Sequence, residues 1–170
     1  MNVHSAIAPH LLILIGLPGS GKSTLATHLS TANPARLLIS TDTIRAKLFG
    51  DEATQGPWPL IWAELQQQFQ TTAVQILHGA AQDAIYDATN VVRKQRRQVM
   101  ALARSCGFKN LAGVWLDVPL EICLERNQKR DRQVPTSVIH HMHRCLRGAP
   151  PSLQEDFQSL IHYTHFEEGM

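Results

Sequence analysis

The chain has 170 residues, 44% of them hydrophobic and 18% charged, with a formal net charge of +2. That length suggests one domain around a single core. So small a charge is no signature of nucleic-acid binding by itself, and the absence of any run of about eighteen apolar residues argues against a transmembrane helix.

The first apolar run, Leu11-Leu12-Ile13-Leu14-Ile15, reads as a buried parallel strand. It is short and lacks a basic leader and a cleavage site, so it does not read as a signal peptide. It passes directly into Gly16-Leu17-Pro18-Gly19-Ser20-Gly21-Lys22-Ser23, which satisfies the pattern G-x-x-x-x-G-K-[ST] without a mismatch. Leu25, Ala26 and Leu29 then recur at helical spacing, predicting a helix near 22–31. Glycines let such a loop curl until its N–H groups point at phosphate oxygens, and the helix start adds its positive dipole end. Lys22 is expected to reach the β- and γ-phosphates of ATP, and Ser23 to offer its hydroxyl to Mg²⁺. A ligand-free glycine turn is the bland alternative, which the strand–loop–helix setting disfavours.

Leu37-Leu38-Ile39 predicts a second strand, ending at Ser40-Thr41-Asp42, with a short helix near 43–49. Asp42 and Arg45 are three residues apart and share one helix face. A carboxylate facing the γ-phosphate can take a proton from an attacking hydroxyl, and an arginine beside it can hold an anionic acceptor. Asp42 is equally suited to capping the helix, and the spacing does not choose between the two. Gly50–Pro59, closing with Gly56-Pro57-Trp58-Pro59, reads as a loop before a helix near 60–78. Trp58 and Trp62 suit packing better than stacking on a base.

Ala84-Ile85-Tyr86 predicts the third strand, ending at Asp87. Within Asp87-Ala88-Thr89-Asn90 the aspartate suits Mg²⁺ or the cap of a helix near 92–105. Arg93, Lys94, Arg96 and Arg97 read as a solvated face or a contact to an acidic substrate. Ala112–Val118 predicts the fourth strand, and Ser159–Phe166 has room for a fifth. A helix near 119–129 carries Arg126 and Arg130 on one face, with Arg132 just beyond and Pro135 breaking the chain before a helix near 137–147. These arginines either decorate a solvated face or close over ATP. His140, His141 and His143 lack the partners of a metal site. Cys106, Cys123 and Cys145 form no recognised pair, which fits a reducing, cytoplasmic setting.

Strands alternating with helices imply an α/β fold, a parallel sheet between helical layers, with the glycine loop, Asp42, Asp87 and Asp117 converging beyond the strands' carboxyl ends. The combination of Gly16–Thr24, Ser40-x-Asp42-x-x-Arg45, Asp87-Ala88-Thr89-Asn90 and Glu125-Arg126-Asn127 with Arg130, Arg132, Gln133 and Val134 resembles the P-loop kinases of the polynucleotide 5′-hydroxyl kinase type. It is most similar to the kinase module of bacterial polynucleotide kinase–phosphatases, more distantly to the phage enzyme and the wider zeta-toxin-like group. The resemblance implies a three-layer P-loop fold with an arginine-bearing helical lid. It implies ATP held by Gly16, Pro18, Gly19, Ser20, Gly21, Lys22, Ser23 and Thr24 with Arg126, Arg130 and Arg132, and Mg²⁺ at Ser23 and Asp87. It further implies Asp42 as general base, Arg45 and Gln55 on the acceptor side, and a 5′-hydroxyl polynucleotide end as acceptor. The segment Gly56-Pro57-Trp58-Pro59 departs from that pattern in the region that shapes the acceptor site. A small-molecule hydroxyl (nucleoside, sugar or antibiotic) is the alternative acceptor. A non-catalytic ATP-binding module is the remaining reading, which the Asp42–Arg45 pair opposes.

Overall fold

The computed structural model describes residues 8–164. The chain order is β1 (His10–Ile15), α1 (Lys22–Ala32), β2 (Arg36–Ser40), α2 (Thr41–Phe49), α3 (Trp58–Leu77), β3 (Asp83–Asp87), α4 (Arg93–Ser105), β4 (Asn110–Leu116), α5 (Leu120–Gln128), α6 (Thr136–Gly148), a 3₁₀ turn at Leu153–Glu155, and β5 (Ser159–Tyr163). The strands lie in the order β2-β3-β1-β4-β5, every pair parallel. Each predicted strand and helix is present. Positions 165 and 166 of the expected fifth strand lie outside the described residues.

Alternation along β1 separates the two faces of the sheet. Leu11, Ile13 and Ile15 enter the larger core with Ile61, Leu65 and Phe69 of α3 and Val99, Met100 and Ala103 of α4. Leu14 points the other way and packs with Ala26 of α1, Ile85 and Val114. Side chains two apart on a strand share a face, so one apolar run serves both helical layers. Among the described residues no helix is long and apolar enough to cross a membrane.

Two local features depart from expectation. Trp58 and Pro59 belong to α3 and not to the loop before it. Proline is tolerated in a first turn because its missing N–H would find no partner there in any case. Trp58 leans on Trp62 with ring centroids 6.0 Å apart, yet it stays 46% exposed, so this pair rims the core and does not fill it. The connection before it folds back at Gly56, whose φ of +52° sets its α-carbon against the ring of Phe49 with no room for a side chain.

Phe69 is the aromatic keystone of the larger core. It meets Tyr86 edge-on at 5.5 Å and Phe108 at 5.7 Å and is fully buried. Phe69→Ala is expected to destabilise the fold by about 3–5 kcal/mol, read as a lower urea midpoint with an unchanged slope.

Candidate active site

The phosphate loop hangs from the middle of the sheet. Gly16 donates its N–H to the carbonyl of Thr89 at 3.0 Å, joining the end of β1 to the loop after β3. Gly19 has a φ of +84°, and a β-carbon there would come within 2.5 Å of the Cys123 carbonyl, so α5 rests directly on the loop. Helix α1 begins after Gly21 with no side-chain cap and no acidic residue in its first turn. Its orphan N–H groups and positive end are therefore left for an anion.

Lys22 is buried at the head of α1 and donates to the Leu17 carbonyl at 2.8 Å and toward Ser20 Oγ at 3.4 Å. Burial lowers its pKa to about 8, against which Asp87 pulls upward while Arg130 adds to the depression. Ser23 Oγ donates to Asp87 Oδ2 at 2.7 Å. That pair is a hard-oxygen donor set of the kind Mg²⁺ takes when phosphates supply the remaining ligands. No group of three His, Cys, Asp or Glu suited to a metal occurs among the described residues. Asp87 is not a cap, because α4 begins after Val92.

Asp42 sits in the first turn of α2, whose cap position is Ser40. Its carboxylate accepts from Arg45 Nη1 at 3.0 Å and lies 3.5 Å from Arg132 Nη1. The same Arg132 nitrogen is 3.4 Å from Glu52 Oε1. The resemblance groups Arg132 with the nucleotide; the structure sets its guanidinium between Asp42 and Glu52. Arg45 keeps a buried Nε with no hydrogen-bond partner. Gln55 lies in the fully exposed stretch 51–60, and no hydrogen bond joins it to Asp42 or Arg45 among the described residues.

Above the phosphate loop, Arg126 Nη1 approaches the Gly19 carbonyl at 3.5 Å. Arg130 is exposed, close enough to Lys22 to disfavour its proton. The turn between α5 and α6 is closed by Asn127, which donates to the Val134 carbonyl at 2.8 Å and accepts from the Val134 N–H at 2.9 Å. The structure therefore brings Lys22, Ser23, Asp87 and Arg126 to the loop and Asp42, Arg45 and Arg132 to a second cluster; it leaves Gln55 apart.

Glu52 and the burial of Arg96 escaped the sequence reading, and Asp117, expected at the strand ends, has partners that the sequence did not name. Glu52 joins the Asp42–Arg132 cluster from a loop with no periodic signal. Asp117, after β4, binds Arg147 of α6 at 3.0 Å and His162 of β5 at 2.9 Å. Arg96 is completely buried, against the expectation of a solvated basic face. Its spacing to Val99, Met100 and Ala103 follows the apolar stripe of α4, and that periodicity was the available signal.

The chain is 30% identical over 141 residues to the L-seryl-tRNA(Sec) kinase of Methanococcus maripaludis, a match spanning 78% of this chain and 51% of that relative. It thus spans about half the length of that relative. Its fold superposes on a chain of the Pnkp1/Rnl/Hen1 RNA repair complex with a TM-score of 0.67 at 21% identity, covering 93% of this chain and 49% of the other. The APS kinase CysC of Mycobacterium tuberculosis gives a TM-score of 0.55 at 18% identity, covering 72% and 70%. These likenesses confirm an α/β sheet flanked by helices, as in P-loop kinases. A family pattern matches residues 11–149, most of the chain, and the chain belongs to that family, AAA_33, described as an AAA domain.

Proposed function

We propose that this chain binds ATP with Mg²⁺ and transfers the γ-phosphoryl to a hydroxyl at the end of a polynucleotide, a 5′-hydroxyl end first. The observation that carries the acceptor reading is the Asp42 carboxylate flanked by two guanidinium groups, Arg45 at 3.0 Å and Arg132 at 3.5 Å. A base that only had to meet a neutral sugar would need no such flanking cations; an acceptor with phosphates next to its hydroxyl does.

Lys22 and the loop N–H groups hold the donor phosphates, and Arg126 and Arg130 approach them from the lid. Ser23 and Asp87 would hold Mg²⁺, which neutralises phosphate charge when bound. Asp42 takes the proton of the acceptor hydroxyl as its oxygen bonds to the γ-phosphorus, the bond to the β-phosphate oxygen breaks, and ADP leaves. Arg45 positions the acceptor. A second reading is favoured by the seryl-tRNA(Sec) kinase relative, 30% identical: a serine hydroxyl carried on an RNA end, which the same cation-flanked carboxylate suits.

Labelled ATP offered with 5′-hydroxyl oligonucleotides, with seryl-tRNA and with nucleosides, sugars and APS separates these acceptors. Label at oligonucleotide 5′ ends is expected, and label confined to small molecules overturns the polynucleotide reading. On the productive acceptor, Asp42→Asn should lower kcat by about 10²–10⁴-fold while ATP still binds. Arg132→Ala should raise KM for the acceptor by about tenfold and leave KM for ATP unchanged; a shift confined to ATP would return Arg132 to the donor side.

The lowered pKa of Lys22 fixes a sign. Below about 8 the amine is charged and ready for phosphate; above it the proton must be taken up on binding. Nucleotide affinity should therefore fall as pH rises through about 8, with proton uptake visible by calorimetry in buffers of different ionisation enthalpy. Lys22→Met should bind weakly without that inflection.

A further inference from the structure

Arg96, on α4, is the bulkiest side chain with no exposure among the described residues, and the side chain of its partner Glu155 is fully buried too. The guanidinium spends every donor it has. Nε reaches Glu155 Oε2 at 3.0 Å, and Nη2 reaches Glu155 Oε1 at 2.8 Å and the Ala149 carbonyl at 2.7 Å. Nη1 reaches the carbonyls of Asn90 and Val91, both at 3.1 Å. A guanidinium has five N–H bonds, and here each has an acceptor.

Stability alone does not explain such a pair, because a buried ion pair is seldom better than apolar residues of the same volume. What apolar residues cannot do is bind backbone carbonyls from separate segments. One segment is the loop after β3. There Asn90, at a φ of +51°, sends Nδ2 to the Leu14 carbonyl at 2.7 Å, two residues before the phosphate loop. The next residue back, Thr89, accepts from Gly16. The other segment is Ala149, where the chain leaves α6. Besides the ion pairs of Arg147 with Asp117 and of Arg132 with Asp42 and Glu52, the α5–α6 unit has two attachments that lead to the phosphate loop. At its front, α5 lies on Gly19 and Arg126 reaches over it. At its rear, Ala149 is bound through Arg96 to the same loop that seats the phosphate loop.

We infer that Arg96 is a positioning residue that sets the arginine-bearing lid at working distance from the phosphate loop. It touches no reacting group. It acts through Asn90 on one side and Ala149 on the other, so the contribution of Arg126 to nucleotide binding depends on it. This rests on the donor half of the function proposed above and is indifferent to the acceptor.

The test is a double-mutant cycle on affinity for a non-hydrolysable ATP analogue with Mg²⁺, using the full chain. Arg126→Ala is expected to weaken binding by about tenfold in the native background. In Arg96→Met/Glu155→Leu, whose thermal midpoint checks the fold, the same substitution should change affinity by less than about twofold, the remainder having already been lost. Tryptic cleavage after Lys129 and Arg130 gives a second readout: the analogue should protect these bonds in the native chain and fail to protect them in the Met/Leu chain. Equal effects of Arg126→Ala in both backgrounds overturn the inference. A native chain that does not bind the analogue overturns the proposed function itself. Should the Met/Leu chain not fold, Arg96→Lys, which keeps the charge with three donors, enters the same cycle. If neither folds, the pair is a stability element and the inference falls.

Discussion

The main-chain hydrogen bond from Gly16 to Thr89, 3.0 Å long, joins the two loops from which the rest of the site takes its positions. It is possible because β1 and β3 are parallel neighbours, with Ile13 opposite Tyr86, so both chains leave the sheet at the same edge. Neighbouring strands lie about 4.8 Å apart, which sets the head of α1 beside the end of β3. Ser23 then meets Asp87 without further adjustment. The arrangement is a consequence of strand order, and α5 lying on Gly19 closes it from above.

The donor half of this site was legible because its information is local. Eight consecutive residues specify the phosphate loop, and the apolar strand before it and the helical spacing after it specify the setting. The capping alternatives for Asp42 and Asp87 were open in sequence because aspartate near a helix start serves both purposes. The fold answers the capping half of the question, putting Ser40 and Val92 at the cap positions. That Arg132 lies between Asp42 and Glu52 was not legible, since its direction depends on how the chain turns between α5 and α6, a turn closed by Asn127 and Val134 seven residues apart. Arg96 was hidden differently. Its charge argued for the surface and its spacing for the core, and a buried glutamate 59 residues onward decided the matter.

Charge follows the same division. The formal net value of +2 says little, because the informative charges are arranged within the site. The acceptor cluster balances Arg45 and Arg132 against Asp42 and Glu52. At the phosphate loop Asp87 faces Lys22, Arg126 and Arg130, an excess of cations suited to a polyanionic donor. Burial of Lys22 withholds water from its amine and makes its charge sensitive to what lies beside it.

The segment between α2 and α3 is anchored far more lightly. Residues 51–60 are exposed throughout, held by the turn at Asp51, by Glu52 on Arg132 and by Gly56 folding against the ring of Phe49. No strand or buried ion pair of the donor half passes through them. Insertions or replacements between Gly50 and Pro57 would thus spare the sheet and the phosphate loop, while Glu52 would pass them on to Arg132 and Asp42. This surface excursion is therefore where the sequence can change at least cost to the fold.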